Sequence, residues 1–302
     1  MSSIAVRLTL ALGMLFGSAR ITHAQAWVSD KGNLDASLDY NLGISDKVVG
    51  ASTAKFPNAG TTTNQFTLGA DYVPVEHLGL TLSLPFAALK YTGDKNAYPH
   101  PGGGRYDDGA YHGTLTDLAF RARYQLPIDQ LAISPHIGFS VPVANYETVG
   151  NTVAGRHLKQ LHLGVAIGKF ITDDFYGQVV YEYSFVGSYD RTADTAKYGQ
   201  NHSDLAAALG YKVLDGRLDI NANLTYRVTH GGINFEDFST LPADVIMFHD
   251  PVLAEKILLI GAGVGYTVSN KVTVSAAAAF FITGSNTQNA SVFDLSVGWT
   301  IL

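Results

Sequence analysis

His202, Ser203 and Asp204 stand side by side in this chain. An imidazole, a hydroxyl and a carboxylate are the parts of a nucleophilic hydrolase site, in which base and nucleophile must lie within hydrogen-bond reach. Here they fall in a run that alternates polar and apolar residues. Neighbours on a strand point to opposite faces, so Ser203 is turned away from the other two. The sequence has no Gly-x-Ser-x-Gly elbow, and its lack of cysteine excludes thiol catalysis and thiolate metal sites. The 10 histidines are scattered. His112, His230 and His249 sit at strand ends or in connections, no partner spacing singles one out, and no His-Glu-x-x-His occurs. Gly150 to Gly155 has the glycine spacing of a phosphate loop but continues into Arg156-His157, and glycines 261, 263 and 265 are followed by strand rather than helix. Both sets read as structural glycines. No catalytic residue, metal ligand or cofactor is predicted.

The remaining charges lie on one face of a repeated pattern. In the stretch from Gly113 to Pro142, Leu118, Phe120, Ala122, Tyr124 and Leu126 alternate with Asp117, Ala119, Arg121, Arg123 and Gln125. Pro127 to Gln130 turn the chain, and Ile133, Ile137, Phe139 and Val141 then alternate with Ser134, His136, Gly138 and Ser140. The same period of two recurs from Leu34 to the C-terminus. It gives about twelve strands, each near the ~9–11 residues that cross a bilayer at a tilt. The connections at Pro74, Pro127, Thr172, Asp215 and Ser269 are short. The others, such as Gly43 to Thr63, Tyr91 to His112, Ala144 to Arg156 and Gly231 to Pro251, are longer and mostly polar. An even strand count, short turns at one end, long loops at the other and an apolar face tipped with aromatics predict an all-β fold. The fold is a transmembrane antiparallel up-and-down β-barrel of outer-membrane type, closed so that no strand edge meets lipid.

Composition agrees. There are 31 Gly, 16 Tyr and 15 Phe against 3 Met and 2 Trp, a balance that favours strands and turns. Lys and Arg number 20 against 26 Asp and Glu, with no basic run, so nucleic acid is not expected as a partner. No apolar run reaches the ~18 residues of a membrane helix. Arg7 precedes an apolar run from Leu8 to Phe16, and small residues follow at Thr22-His23-Ala24 and Ala24-Gln25-Ala26. This pattern predicts a signal peptide over residues 1–26, cleaved after Ala24 or Ala26, ahead of a barrel spanning 27–302. The expected location is the outer membrane of a Gram-negative bacterium. Both chain ends would lie in the periplasm, the protein would be a monomer, and its partners would be outer-membrane lipids and the barrel assembly machinery.

Within this frame, Leu82-Ser83-Leu84-Pro85-Phe86, Gly113-Thr114-Leu115-Thr116-Asp117-Leu118 and Arg121-Ala122-Arg123-Tyr124-Gln125-Leu126 resemble the family called MetA-pathway of phenol degradation. Gly138-Phe139-Ser140-Val141-Pro142 stands where that family tends to have a Pro-Thr-Gly turn, with Val143-Ala144 here in place of Thr-Gly. The resemblance runs from about Leu82 to Gly187. It implies an outer-membrane transporter barrel that takes up small hydrophobic, often aromatic, compounds.

The inward face is expected to carry Asp35, Asp39, Asp71, Asp117, Arg121, Arg123, His136, His162, Glu182, Arg217, Asp219 and Arg227, lining a solute path or pairing to fill the interior. Arg121 and Arg123 should meet acidic groups on the first or a neighbouring strand. The Gly-rich loop from Tyr91 to His112 is a candidate constriction. Gly231 to Pro251 is unusually apolar. Phe235, Phe238 and Phe248 in it are candidate gate residues, either folding into the barrel mouth or packing on their neighbours. The competing functions are a non-transporting barrel (adhesin, receptor or scaffold) and a barrel enzyme acting on lipids, for which a Ser–His pair in hydrogen-bond reach would speak.

Overall fold

The computed structural model describes residues 26–52, 55–94, 106–188 and 194–302. The expected signal peptide, apart from Ala26, and residues 95–105, half of the expected constriction loop, lie outside the described residues. The strands are β1 (Leu34–Val49), β2 (Lys55–Val75), β3 (Leu78–Tyr91), β4 (His112–Leu115), β5 (Asp117–Tyr124), β6 (Ala132–Pro142) and β7 (Gln160–Phe170). They continue with β8 (Phe175–Val186), β9 (His202–Val213), β10 (Leu218–Thr229), β11 (Lys256–Ser269), β12 (Val272–Ser285), β13 (Thr287–Gln288) and β14 (Ser291–Thr300). Each pairs antiparallel with its chain neighbour. β4 runs on into β5, and β13 into β14, so the segments form twelve staves. The ring closes where β1 pairs with β14 from Asp35↔Thr300 to Ile44↔Ser291. Closure satisfies the backbone of every stave without an exposed edge.

The register fixes the size of the ring. Following the paired residues once round returns to β1 about 14 residues along, which for twelve strands means a tilt of about 39° and a backbone radius of about 12 Å. Inward side chains from all sides take up most of such a bore, and what remains open depends on which of them are small.

The two faces are inverted relative to a soluble protein. Leu68, Ile137, Leu209, Phe280 and Leu295 are exposed on the outside, whereas Asp39, Asn41, Gln65, His136, Ser140 and Glu182 are buried within. A continuous exposed apolar band around a polar interior is the surface of a barrel in lipid. Connections at one end are short. Asp215 and Gly216 adopt φ of 54° and 80°, the left-handed pair expected of an Asp-Gly hairpin turn.

One sequence expectation is corrected. The segment Gly43 to Thr63, expected as a polar connection, is mostly strand. β1 and β2 stay paired through Ile44↔Thr62 and Ser45↔Thr61 and again at Val48↔Phe56, so this hairpin rises beyond the lipid, where the outer face need not be apolar. Gly150 to Gly155 lies, as expected for Ala144 to Arg156, in the long connection between β6 and β7, with Val153, Ala154 and Leu158 buried.

Candidate functional site

The inner-face charges converge because small residues leave room for long ones. Arg121 of β5 reaches past Gly138 and Gly164 to Glu182 of β8, with its Nη2 donating to Oε2 at 2.6 Å. Glu182 also meets Nε2 of His136 at 3.0 Å and Nδ1 of His162 at 3.3 Å. A Cβ on Gly164 would collide with the His136 ring, so this glycine is what lets the imidazole lie flat against the wall. Arg123 turns the other way and grips Asp71 of β2 with two nitrogens, at 2.9 and 3.0 Å, while Thr81 donates to the same carboxylate at 2.6 Å. Arg227 and Asp204 form a third pair at 2.6 and 3.1 Å. The charge partners expected for Arg121 and Arg123 are therefore present, and they come from β8 and β2 rather than β1.

The other expected residues are distributed around these pairs. Asp35 accepts from Thr300 at 2.6 Å, and Asp117 accepts from the Tyr146 hydroxyl at 2.6 Å. Asp39 is buried and accepts from Ser37 and Ser296 at 3.1 and 2.5 Å. Asp219 accepts from Tyr176 at 3.0 Å and borders a small separate cavity of about 120 Å³. Arg217 is placed differently from expectation. It is exposed in the turn before β10, donates to the Thr267 and Val268 carbonyls at 3.3 and 3.2 Å, and covers the outward Tyr266 ring at 5.4 Å. Because it precedes the paired part of its strand, the turn carries it to the rim.

Phe235 and Phe238 form a core rather than a face open to the lumen. They are buried with Val48, Ala59, Leu158, Ile233, Val245, Ile246, Val252 and Leu253, and Phe248 packs against that cluster. A five-residue helix, α1 (Ala243–Met247), belongs to this cap. Glu236 ties the cap to the β1–β2 hairpin by accepting from the Ala51 and Ser52 amides, each at 2.9 Å. Beneath it, Arg156 donates to Glu255 at 2.9 Å and to Gln200 at 3.3 Å. Of the two expectations for this loop, packing on its neighbours is the one observed.

Among the described residues a cavity of about 530 Å³ remains open. At the long-loop end it touches Gly155, His202 and Arg227. It passes Asp117, Arg121, His162 and Glu182, and at the short-turn end it reaches Trp27, Asn270 and Lys271. Its fixed charges balance: Asp35, Asp71, Asp117 and Glu182 against Arg121, Arg123, Arg227 and Lys271. A polar bore whose lining acids and bases are equal in number suits small uncharged or weakly polar solutes better than a bore lined by one sign of charge.

A Ser–His pair that sequence could not find also faces this cavity. Ser140 Oγ lies 3.1 Å from His162 Nε2, on the side opposite the Glu182 contact. Its surroundings differ from those of a nucleophile. Ser140 is paired with both Ala119 and Gln160, so the neighbouring N–H groups that an oxyanion hole needs are spent in the ladder. Ser184 sits 2.8 Å from Nδ1, and Arg121 holds the carboxylate.

Neither a family model nor a curated protein sequence matches the chain. Solved structures do. The crystal structure of the COG4313 outer membrane channel from Pseudomonas putida F1 superposes with a TM-score of 0.71 at 13% identity, covering 92% of this chain and 99% of that one. This is an outer-membrane β-barrel. The barrel is also similar to the translocator domain of the autotransporter NalP from Neisseria meningitidis, with a TM-score of 0.52 at 11% identity over 90% of each chain. The NanC porin gives a TM-score of 0.50 at 9% identity, covering 87% of this barrel and 98% of the porin. At these identities the likeness is one of fold.

Proposed function

We propose that the barrel is a passive channel for small solutes, with monocyclic aromatic compounds as its preferred cargo. The observation that carries the channel reading is a cavity that touches residues from both ends of the barrel, between Gly155 and Lys271. The preference for aromatics is supported by the sequence resemblance to the phenol-degradation family and by a bore whose charges cancel. A bore with opposite charges in equal number along its lining favours phenol-sized molecules over ions. The lipid-facing band and closed ring suit a monomer delivered by the barrel assembly machinery after cleavage of the signal peptide following Ala24, which leaves Ala26 in the mature chain. The test is flux: the purified protein in liposomes should admit phenol or benzyl alcohol faster than ions or disaccharides. Equal exclusion of all solutes by folded protein would favour a scaffold.

A further inference from the structure

The residues just before the barrel lie inside its mouth. Residues 26–29 start from a turn rooted on β2, where Gly32 N–H donates to the Val73 carbonyl at 2.7 Å and Asn33 N–H to Asp30 at 3.1 Å. From there they cross to β6, β7 and β8, which in the strand order face β1 from the other side of the ring. On that far side the segment is held by a hydrogen bond from Ser134 Oγ to the Ala26 carbonyl at 2.7 Å and by one from Val28 N–H to Gln125 Oε1 at 2.8 Å. Ala26 is fully buried. The Trp27 indole meets Phe170 and Tyr176 edge-on, with centroids 5.3 and 6.0 Å apart, and packs beside Ala132, Ala166, Val180 and Ala206.

The wall is shaped for this ring. A Cβ on Gly168 would fall inside the indole and 2.7 Å from the Ala26 Cβ, and the inward alanines of β6, β7 and β9 leave the space that larger side chains would fill. One side of the indole is thus fixed to the wall. Trp27, Val28 and Ser29 also line the 530 Å³ cavity at its short-turn end, so every solute leaving by that end passes them.

We propose that residues 26–29 are a strap across the short-turn mouth and that Trp27 is the residue on which aromatic solutes dock and are selected. The proposal rests on the channel reading. A half-buried indole fixed from one side offers its remaining π surface without further loss of side-chain freedom. Stacking on such a surface strengthens binding of an aromatic over its saturated analogue by about three- to tenfold. The strap itself limits the exit for solutes that gain nothing from the ring.

The experiment uses the two tryptophans of the chain. Trp299 faces lipid, so Trp299→Phe leaves Trp27 as the reporter. Benzyl alcohol should change its fluorescence saturably, and cyclohexylmethanol should need about three- to tenfold more for the same change. Flux in liposomes is then compared for wild type, Trp27→Phe, Trp27→Ala and Gly168→Val, each checked for folding by heat-modifiable migration. Trp27→Phe should keep the aromatic preference. Trp27→Ala should lose it and pass sugars several-fold faster, and so should Gly168→Val, which retains the indole but displaces it. If wild type conducts and all three variants match it in rate and preference, the strap proposal is overturned and the channel reading stands. If no solute crosses wild type or any variant, the channel reading itself fails.

Discussion

Glu182→Gln should turn the barrel anion-selective. In the native lumen the four acids and four bases along the cavity cancel, and Glu182 offsets Arg121 at 2.6 Å. Replacing the carboxylate with an isosteric amide keeps the hydrogen-bonding shape and leaves the Arg121 charge uncancelled. Taking about 6 Å from that charge to a passing ion and an effective dielectric of about 40, the interaction is about 1.4 kcal/mol, favourable for an anion and unfavourable for a cation, or about a hundredfold in the anion-to-cation permeability ratio. The assay is the reversal potential of the purified variant in a planar bilayer under a potassium chloride gradient. It should be near zero for wild type and should move toward the chloride potential for the variant. Screening supplies an internal control: at 1 M salt the Debye length is about 3 Å, and most of the shift should vanish. A reversal potential unchanged at low salt, in protein that still shows heat-modifiable migration, would mean that ions do not pass Glu182 and would refute the assigned path.

Phe238→Ala removes a buried ring from the cap and should cost the cap about 3–5 kcal/mol. Limited proteolysis should then cut residues 235–252 while the staves stay intact, and an unchanged digestion pattern would count against the packed cap. The cap should also respond to pH. Burial pushes the Asp107 carboxyl up to about 6, against the lowering effect of the Asn151 amide and with a further rise from Asp250. A raised carboxyl favours the folded cap fully below the ordinary value of 3.8, and that contribution is lost as pH rises toward 6. Protection of the amides around Asn151, taken as the exchange rate relative to the intrinsic rate at each pH, should therefore be greater at pH 4.5 than at pH 7.5, and Asp107→Asn should remove the difference. If the Ser140–His162 contact is only a hydrogen bond of the lumen, wild type and Ser140→Ala should be equally inert toward nitrophenyl esters. Hydrolysis that depends on Ser140 would establish an enzyme.

The staves were legible because lipid imposes a period of two on the outer face, from Leu118 to Leu126 as from Leu218 to Val228. The top of the β1–β2 hairpin was not, because above the lipid the outer face need not be apolar and residues such as Thr61, Thr62 and Thr63 satisfy a strand without alternating. The inward set could be read from parity alone, with Arg217 misplaced since parity does not say where pairing begins. Which charges would meet was beyond a single sequence. Arg121 reaches Glu182 across two intervening staves only because Gly138 and Gly164 lie between them, and inner-face glycines look the same in sequence whether they open a bore or merely pack. Trp27 was not legible as a site residue. Its signal was one large aromatic followed by Val28 in an otherwise polar stretch, and its counterpart, Gly168, gave no sign of being a socket.

The most direct test of the central claim is solute entry into liposomes carrying the purified, folded barrel. The account predicts entry of phenol-sized aromatics well above that of disaccharides and above protein-free liposomes. Liposomes with folded protein that admit no solute faster than protein-free ones would contradict it.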